Sequence, residues 1–170
     1  MNTDIIIAYF KKTRQTFLNL IDDLSLEELN QVPDGFNNNI VWNFGHIIVS
    51  TLGLCYIRSQ AKQDLVLPFP GRFGKGTYPE IPVTVEELEI LKQLAVTTIN
   101  QLEKDLKTPI FEKFSMVNTD TFQVPMYNIE EVMMGSVIHE NLHLGTAKAQ
   151  KQVILEQRRV EQRHREQSLN

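Results

Sequence analysis

The stretch "IVWNFGHIIVSTLGLCYI", Ile40–Ile57, decides how the chain folds. It is long and apolar enough to suggest a membrane span. Asn43, His46, Ser50 and Thr51 interrupt it, however, and no basic residue flanks its N-terminal end. Those features predict a helix buried in a protein core rather than in lipid. Its apolar residues run nearly all the way round, which suits a central bundle helix or one that also meets a second copy of the chain. A homodimer is therefore an expectation. Gly45, Ser50 and Gly53 cost helix propensity and either permit close packing or leave room for a ligand.

The rest of the sequence supplies three more long helices. Ile6, Phe10, Phe17, Leu20, Ile21 and Leu24 recur at helical spacing from about Asp4 to Leu24, with Lys11, Lys12, Arg14 and Gln15 on the wet side. "SLEE", Ser25–Glu28, is a capping box opening a short extra turn. After the loop "VPDGFNNN", the second helix runs from about Asn39 to Lys62. Residues 65–83 form a long Pro/Gly-rich connection, of a kind that often carries function. "TVEE", Thr84–Glu87, caps a third helix reaching about Lys107, with Leu88, Leu91, Ala95, Ile99 and Leu102 as its apolar stripe. "FEKFSM" and "TFQVPM", around the turn "NTD", predict a short β-hairpin between helices three and four. The last helix starts near Asn128 and continues to at least Gln157. The expected fold is all-α, a four-helix bundle over residues 1–157, with a charged helix end or tail over 158–170. There, Arg158, Arg159, Arg163 and Arg165 alternate with Glu156, Glu161 and Glu166, a salt-bridged face rather than a nucleic-acid stripe.

Composition narrows the function. A chain of 170 residues suffices for one sizeable core. Its net charge of −4 gives no general attraction to nucleic acid or anionic lipid, so neither is an expected partner. The single cysteine, Cys55, cannot form an internal disulfide, which fits a cytoplasmic protein. No histidine lies at local helical spacing to activate it, so it reads as a small buried hydrophobe. The N-terminus lacks the basic and apolar regions of a signal peptide.

"HENLH", His139–His143, carries the strongest chemical signal. The two histidines lie one turn apart on one helix face and can chelate a divalent ion. The pattern is that of a zinc peptidase, which needs a third ligand downstream. Glu156, Glu161, His164 and Glu166 follow, but on a straight polar run. A rise of about 1.5 Å per residue would put Glu161 more than ~20 Å beyond His143. His46 is the better third ligand: an imidazole inside an apolar helix is costly without a partner. Gly135, Ser136, Thr146 and Ala147 leave space around the pair, and Trp42 and Val49 wall His46. Buried structural histidines are the alternative. Glu140 reads as a general base, as a group orienting an imidazole, or as a solvated surface glutamate.

"NNIVWNFGHII", Asn38–Ile48, and "HENLHLGTA", His139–Ala147, resemble the DinB/YfiT-like superfamily of metalloenzymes. Its pattern is one histidine shortly after a tryptophan in the second long helix and an H-x-x-x-H pair in the last. "FGKGTYPEIPVTVEEL", Phe73–Leu88, is similar to the family's loop into its third helix. The resemblance implies a divalent metal, often zinc or nickel, on His46, His139 and His143. It also implies a small-molecule substrate, with a low-molecular-weight thiol such as bacillithiol or mycothiol in the characterised transferases and isomerases. Many relatives carry "x-G-Q" after the second histidine of the pair, where this chain has Thr146 in "HLGTA".

Three functions follow as expectations: a metal-dependent thiol S-transferase acting on small electrophiles, a non-catalytic bundle that binds metal or ligand, and a metal-dependent hydrolase with Glu140 as base. "GRFGKGT", Gly71–Thr77, lacks Walker spacing, but Arg72, Lys75 and Tyr78 are candidates for contact with an anionic or thiol co-substrate.

Overall fold

The computed structural model describes residues 2–168. Its helices are α1 (Thr3–Asp22), α2 (Leu26–Asn30), α3 (Ile40–Leu52), α4 (Val85–Asp105) and α5 (Ile129–Ser168). The four long ones pack as a bundle, and α2 is the extra turn that Ser25 opens. Side chains set the helix starts. Asn39 Oδ1 accepts from Trp42 N at 2.8 Å at the head of α3. Both capping boxes form: Ser25 and Glu28 bond each other's backbone N–H, and so do Thr84 and Glu87. Asn128 Oδ1 accepts from Glu131 N at 2.9 Å where α5 begins.

The helix directions can be read from cross-helix bonds. Thr51 meets Glu140 and Asn43 meets Gln150, so α3 runs antiparallel to α5. Asn141 meets Thr13 and Lys151 meets Leu20, so α1 runs parallel to α5. Lys11 meets Glu103 and Lys92 meets Asp22, so α4 opposes α1. The order is thus up, down, down, up. Joining the two parallel helices α3 and α4 requires a connection that climbs back along the bundle. Residues 59–84 are that crossover, and they bring Phe73 against α3.

Segment Ile40–Arg58 meets the length and apolarity of a membrane span, yet 78% of its apolar window is buried inside the bundle. It is the core helix that its polar interruptions predict. Its last part, Gly53–Arg58, widens into a π-helical turn, a feature that recurs at functional sites.

Two apolar clusters fill the bundle. One holds Phe17, Ile21, Phe44, Ile47 and Leu91. The other holds Ile6, Phe10, Cys55, Ile99 and Met133. Between them lies a polar layer. Arg14 and Glu140, 2% and 0% exposed, form a two-pronged ion pair, with Nε to Oε2 at 2.8 Å and Nη2 to Oε1 at 2.6 Å. Arg14 Nη2 also donates to Ile47 O at 3.1 Å, and Thr51 Oγ1 donates to Glu140 Oε1 at 2.8 Å. Three helices are joined through one carboxylate and one guanidinium.

Two expectations are corrected. Arg14 is not on the wet side of α1; the buried carboxylate of Glu140 draws it inward. The β-hairpin does not form, and the described residues contain no strand. Val117 and Met126 exchange two backbone hydrogen bonds, at 2.9 and 2.8 Å, as an isolated bridge. Pro125 beside it offers no N–H, and a lone two-stranded ribbon is marginal in water. Residues 159–168 of the charged end are exposed helix, while residues 169 and 170 lie outside the described residues.

Arg14→Met leaves a buried carboxylate uncompensated and should cost about 3–5 kcal/mol of stability. Arg14→Met combined with Glu140→Leu should recover most of that loss. Urea unfolding of the three proteins checks both statements, and equal losses in single and double variants would refute them.

Candidate metal centre

The antiparallel pairing of α3 and α5 sets His46 opposite His139 and His143. Their ring centroids lie 4.5 to 5.2 Å apart, and one ligand nitrogen from each falls within 4.8 Å of the others. His139 Nε2 and His143 Nε2 are 3.2 Å apart. Two nitrogens sharing a tetrahedral ion at about 2.0–2.1 Å would stand roughly 3.3–3.4 Å apart, so the pair is close to chelating geometry.

Hydrogen bonds fix which nitrogen faces inward. His46 Nδ1 lies 2.7 Å from Phe73 O, and a carbonyl only accepts, so Nδ1 carries the proton and Nε2 keeps its lone pair. His143 Nδ1 lies 2.7 Å from Asn43 Oδ1. The Asn43 amide nitrogen donates to Asn38 Oδ1, Asn39 O and Gln150 Oε1, which sets the orientation of that amide. His143 Nδ1 therefore donates as well, and its Nε2 is bare. The donor set fits a divalent ion, and two of the three imidazoles are held by outer hydrogen bonds.

Burial and mutual repulsion keep the rings neutral. Burial lowers the pKa of His46 below the ordinary imidazole range. Burial, then the neighbouring His46, lowers His139 to about 4. Burial with both neighbours lowers His143 to about 3. Neutral rings are the ligand form.

Small residues serve two purposes here. A Cβ at Gly45 would stand 2.6 Å from the Phe73 ring, so glycine lets the crossover close on α3 and place its carbonyl. A Cβ at Gly53 would meet nothing within 4 Å, so that position is open space. Trp42 stacks on His46 at 4.8 Å between centroids and 10° between planes, and its Nε1 donates to Thr77 Oγ1 at 3.1 Å. Above the rings is a cavity of about 430 Å³, walled by Trp42, Val49, Phe73, Phe122 and Met126.

Residues 9–147 match the family model of the DinB superfamily. The chain belongs to the DinB superfamily. No curated protein matches it. Among solved structures, the DinB chain resembles the crystal structure of a conserved protein from Enterococcus faecalis. The TM-score is 0.60 at 14% identity, covering 92% of this chain and 99% of that one. At that identity the likeness speaks for the fold alone.

Not every expected site residue of the DinB chain reaches the cavity. Glu140 is neither a solvated glutamate nor placed as a base. It is fully buried, both of its oxygens are taken by Arg14 and Thr51, and it is not among the cavity's lining residues. Lys75 lies at the mouth, paired with Asp120. Arg72 instead pairs with Glu87 and donates to Ile81 O, and with Tyr78 it lines a separate small hollow. Cys55 is buried, and burial pushes its thiol up to about 12, so it is no nucleophile. Arg58, at the end of the π-helical turn, lines the mouth and donates to Asn118 O. Neither Asn43 nor the Phe73 carbonyl was expected to hold a histidine. Asn43 had a signal, an amide one turn before His46 on an apolar helix, whereas a backbone carbonyl has none.

The lowered pKa values fix a sign. Between about pH 6.5 and 4 the unfolded chain binds more protons at these histidines than the folded one, so stability falls as pH falls through that window. The urea midpoint of chelator-treated protein should be highest above pH 6.5 and drop by pH 5. In His139→Gln/His143→Gln that drop should shrink, and an unchanged drop would disprove the assignment.

Proposed function

We propose that this chain binds a divalent cation, zinc or nickel, on His46, His139 and His143, and transfers a low-molecular-weight thiol to a small electrophile. The observation that carries the reading is the convergence of three neutral imidazoles, two with Nδ1 committed to protein acceptors so that Nε2 points inward. When bound, the cation supplies Lewis acidity that lowers the pKa of a coordinated thiol or water.

The cavity's own residues favour a thiol over water. With Glu140 sealed in the core, the one carboxylate among the described lining residues is Asp120, exposed and paired with Lys75. A thiol, with a free pKa near ~8.5, needs less help to ionise than water does. Phe73 O and Asn43 Oδ1 hold the ring protons outward, and Trp42 fixes the plane of His46. Phe73 and Phe122 narrow the access of water. Beyond the Lys75–Asp120 pair, Arg58 adds a cation at the mouth, where an anionic group on the thiol would be attracted. A thiol-dependent reaction and a lone buried cysteine both suit the cytoplasm.

Untagged protein should contain about one equivalent of metal per chain, and His139→Ala should empty the site. Elemental analysis checks both; metal below about a tenth of an equivalent, or full occupancy in the variant, would overturn the site. Asn43→Leu should weaken metal affinity by about 10- to 100-fold while leaving the bundle folded, as competition with a chromogenic chelator would show. Turnover of a chloro-nitroarene with a panel of small thiols tests the transfer. Its absence in metal-loaded protein would refute transfer and leave a binding module.

A further inference from the structure

A second hollow lies beside the cavity over the histidines, along the outer side of α5. It has a volume of about 510 Å³ and shares Phe122, Met126 and Gly135 with that cavity as walls. Its remaining walls include Val124, Pro125, Tyr127, Met134 and Ile138. Glu131 is the charged residue of the lining, and its Oε2 accepts from Tyr127 N at 2.6 Å. Val124, Tyr127 and Ile138 are 57%, 66% and 46% exposed, so large apolar groups stand in water around the groove.

Helix geometry explains the junction. Gly135 and His139 lie one turn apart on one line of α5, and Met134 and Ile138 lie on the adjacent line. At Gly135 the helix itself adds no side chain between the two hollows, and the flexible thioether of Met126 is what stands there. A Cβ there would stand 2.9 Å from Met126 Sδ, so glycine also lets the thioether lie against the helix. The groove thus begins within a turn of a candidate metal ligand.

We propose that this groove is the apolar arm of the same binding site. The molecule whose polar head reaches the histidines carries an extended alkyl or aryl tail that lies along α5 between Ile138 and Val124. This rests on the metal reading of the three histidines. Three observations commit the groove to a small molecule: the walls it shares with the cavity, its largely apolar lining, and a volume within the roughly 300–1,000 Å³ range of ligand pockets.

The test uses full-length protein stripped with chelator and reloaded with cobalt(II). Straight-chain hydroxamates from acetohydroxamate to octanoyl hydroxamate are titrated, and the visible cobalt spectrum reports the head group. Affinity should rise by up to about fourfold per methylene, the equivalent of ~0.8 kcal/mol per buried CH₂, and level off once the groove is full. Ile138→Asp and Val124→Asp, on opposite walls and both exposed, should each flatten that rise. Their cobalt spectra before ligand is added show whether the histidine centre is intact. A flat series in the wild type, or a rise unaltered in both variants, overturns the groove while leaving the metal site standing. A flat series together with a dimer that Ile138→Asp dissociates, seen by sedimentation, assigns the groove to a second copy and overturns the proposal. If cobalt does not bind, or acetohydroxamate leaves its spectrum unchanged, the metal reading fails and the inference falls with it.

Discussion

The buried pair of Arg14 and Glu140 fixes how α5 is turned, and the candidate site depends on that rotation. Burying two charges costs several kcal/mol per ion, so the pair is a poor source of net stability. Its geometry restricts the alternatives instead. Glu140 can satisfy both oxygens only when α5 faces Arg14 of α1 and Thr51 of α3 together. With Glu140 held there, His139 is placed about 100° further round the helix and His143 one turn on, toward α3 and the cavity. Arg14 Nη1 has no hydrogen-bond partner among the described residues, which shows how fully the charges have left water.

Topology supplies the rest of the centre. Because α3 and α4 run the same way, the chain must return along the bundle through residues 59–84. That return brings a backbone carbonyl to His46. Gly45 admits Phe73, Phe73 O orients His46, and Thr77 steadies Trp42 from the same segment. A bundle with short up-and-down loops would have no such strap and no second wall for its cavity. The irregular segment between α4 and α5 closes the remaining side with Phe122 and Met126.

Much of this was legible in the sequence, and what was missed has physical causes. The core helix showed itself through Asn43, His46, Ser50 and Thr51, which lipid would not tolerate unpaired. The capping boxes at Ser25 and Thr84 were readable because both partners lie within one turn. The three histidines could be grouped because an H-x-x-x-H pair needs a further ligand and His46 was the one imidazole in an apolar setting. Arg14 was placed on the wet side, and the ion pair that buries Glu140 was not among that residue's three readings, for one shared reason. Periodicity scores a charged residue as surface, and the partner that makes burial tolerable lies 126 positions away. The hairpin failed because strand-like composition cannot register the missing Pro125 N–H or the absence of a sheet to join. Arg72 and Tyr78 were grouped with Lys75 because they are neighbours in the loop, but the crossover turns them to another hollow.

The pentapeptide "HENLH" shows how neighbouring residues on one helix come to serve different ends. In a zinc peptidase the glutamate and both histidines face one site. Here each histidine lines a cavity walled by Trp42, Phe73 and Phe122, and the glutamate points into the core. The difference comes from what packs against the helix. A charged residue of α1 meets the glutamate face, and an apolar helix with its own histidine meets the other. The motif therefore divides into candidate ligands at His139 and His143 and scaffold at Glu140. The same division weighs against hydrolysis, because a carboxylate that orders three helices cannot also leave them to take a proton from water. Under the proposed metal reading, a centre whose described lining offers no buried base is best matched to a reactant that would ionise easily on meeting a cation, which is the property that separates a thiol from water.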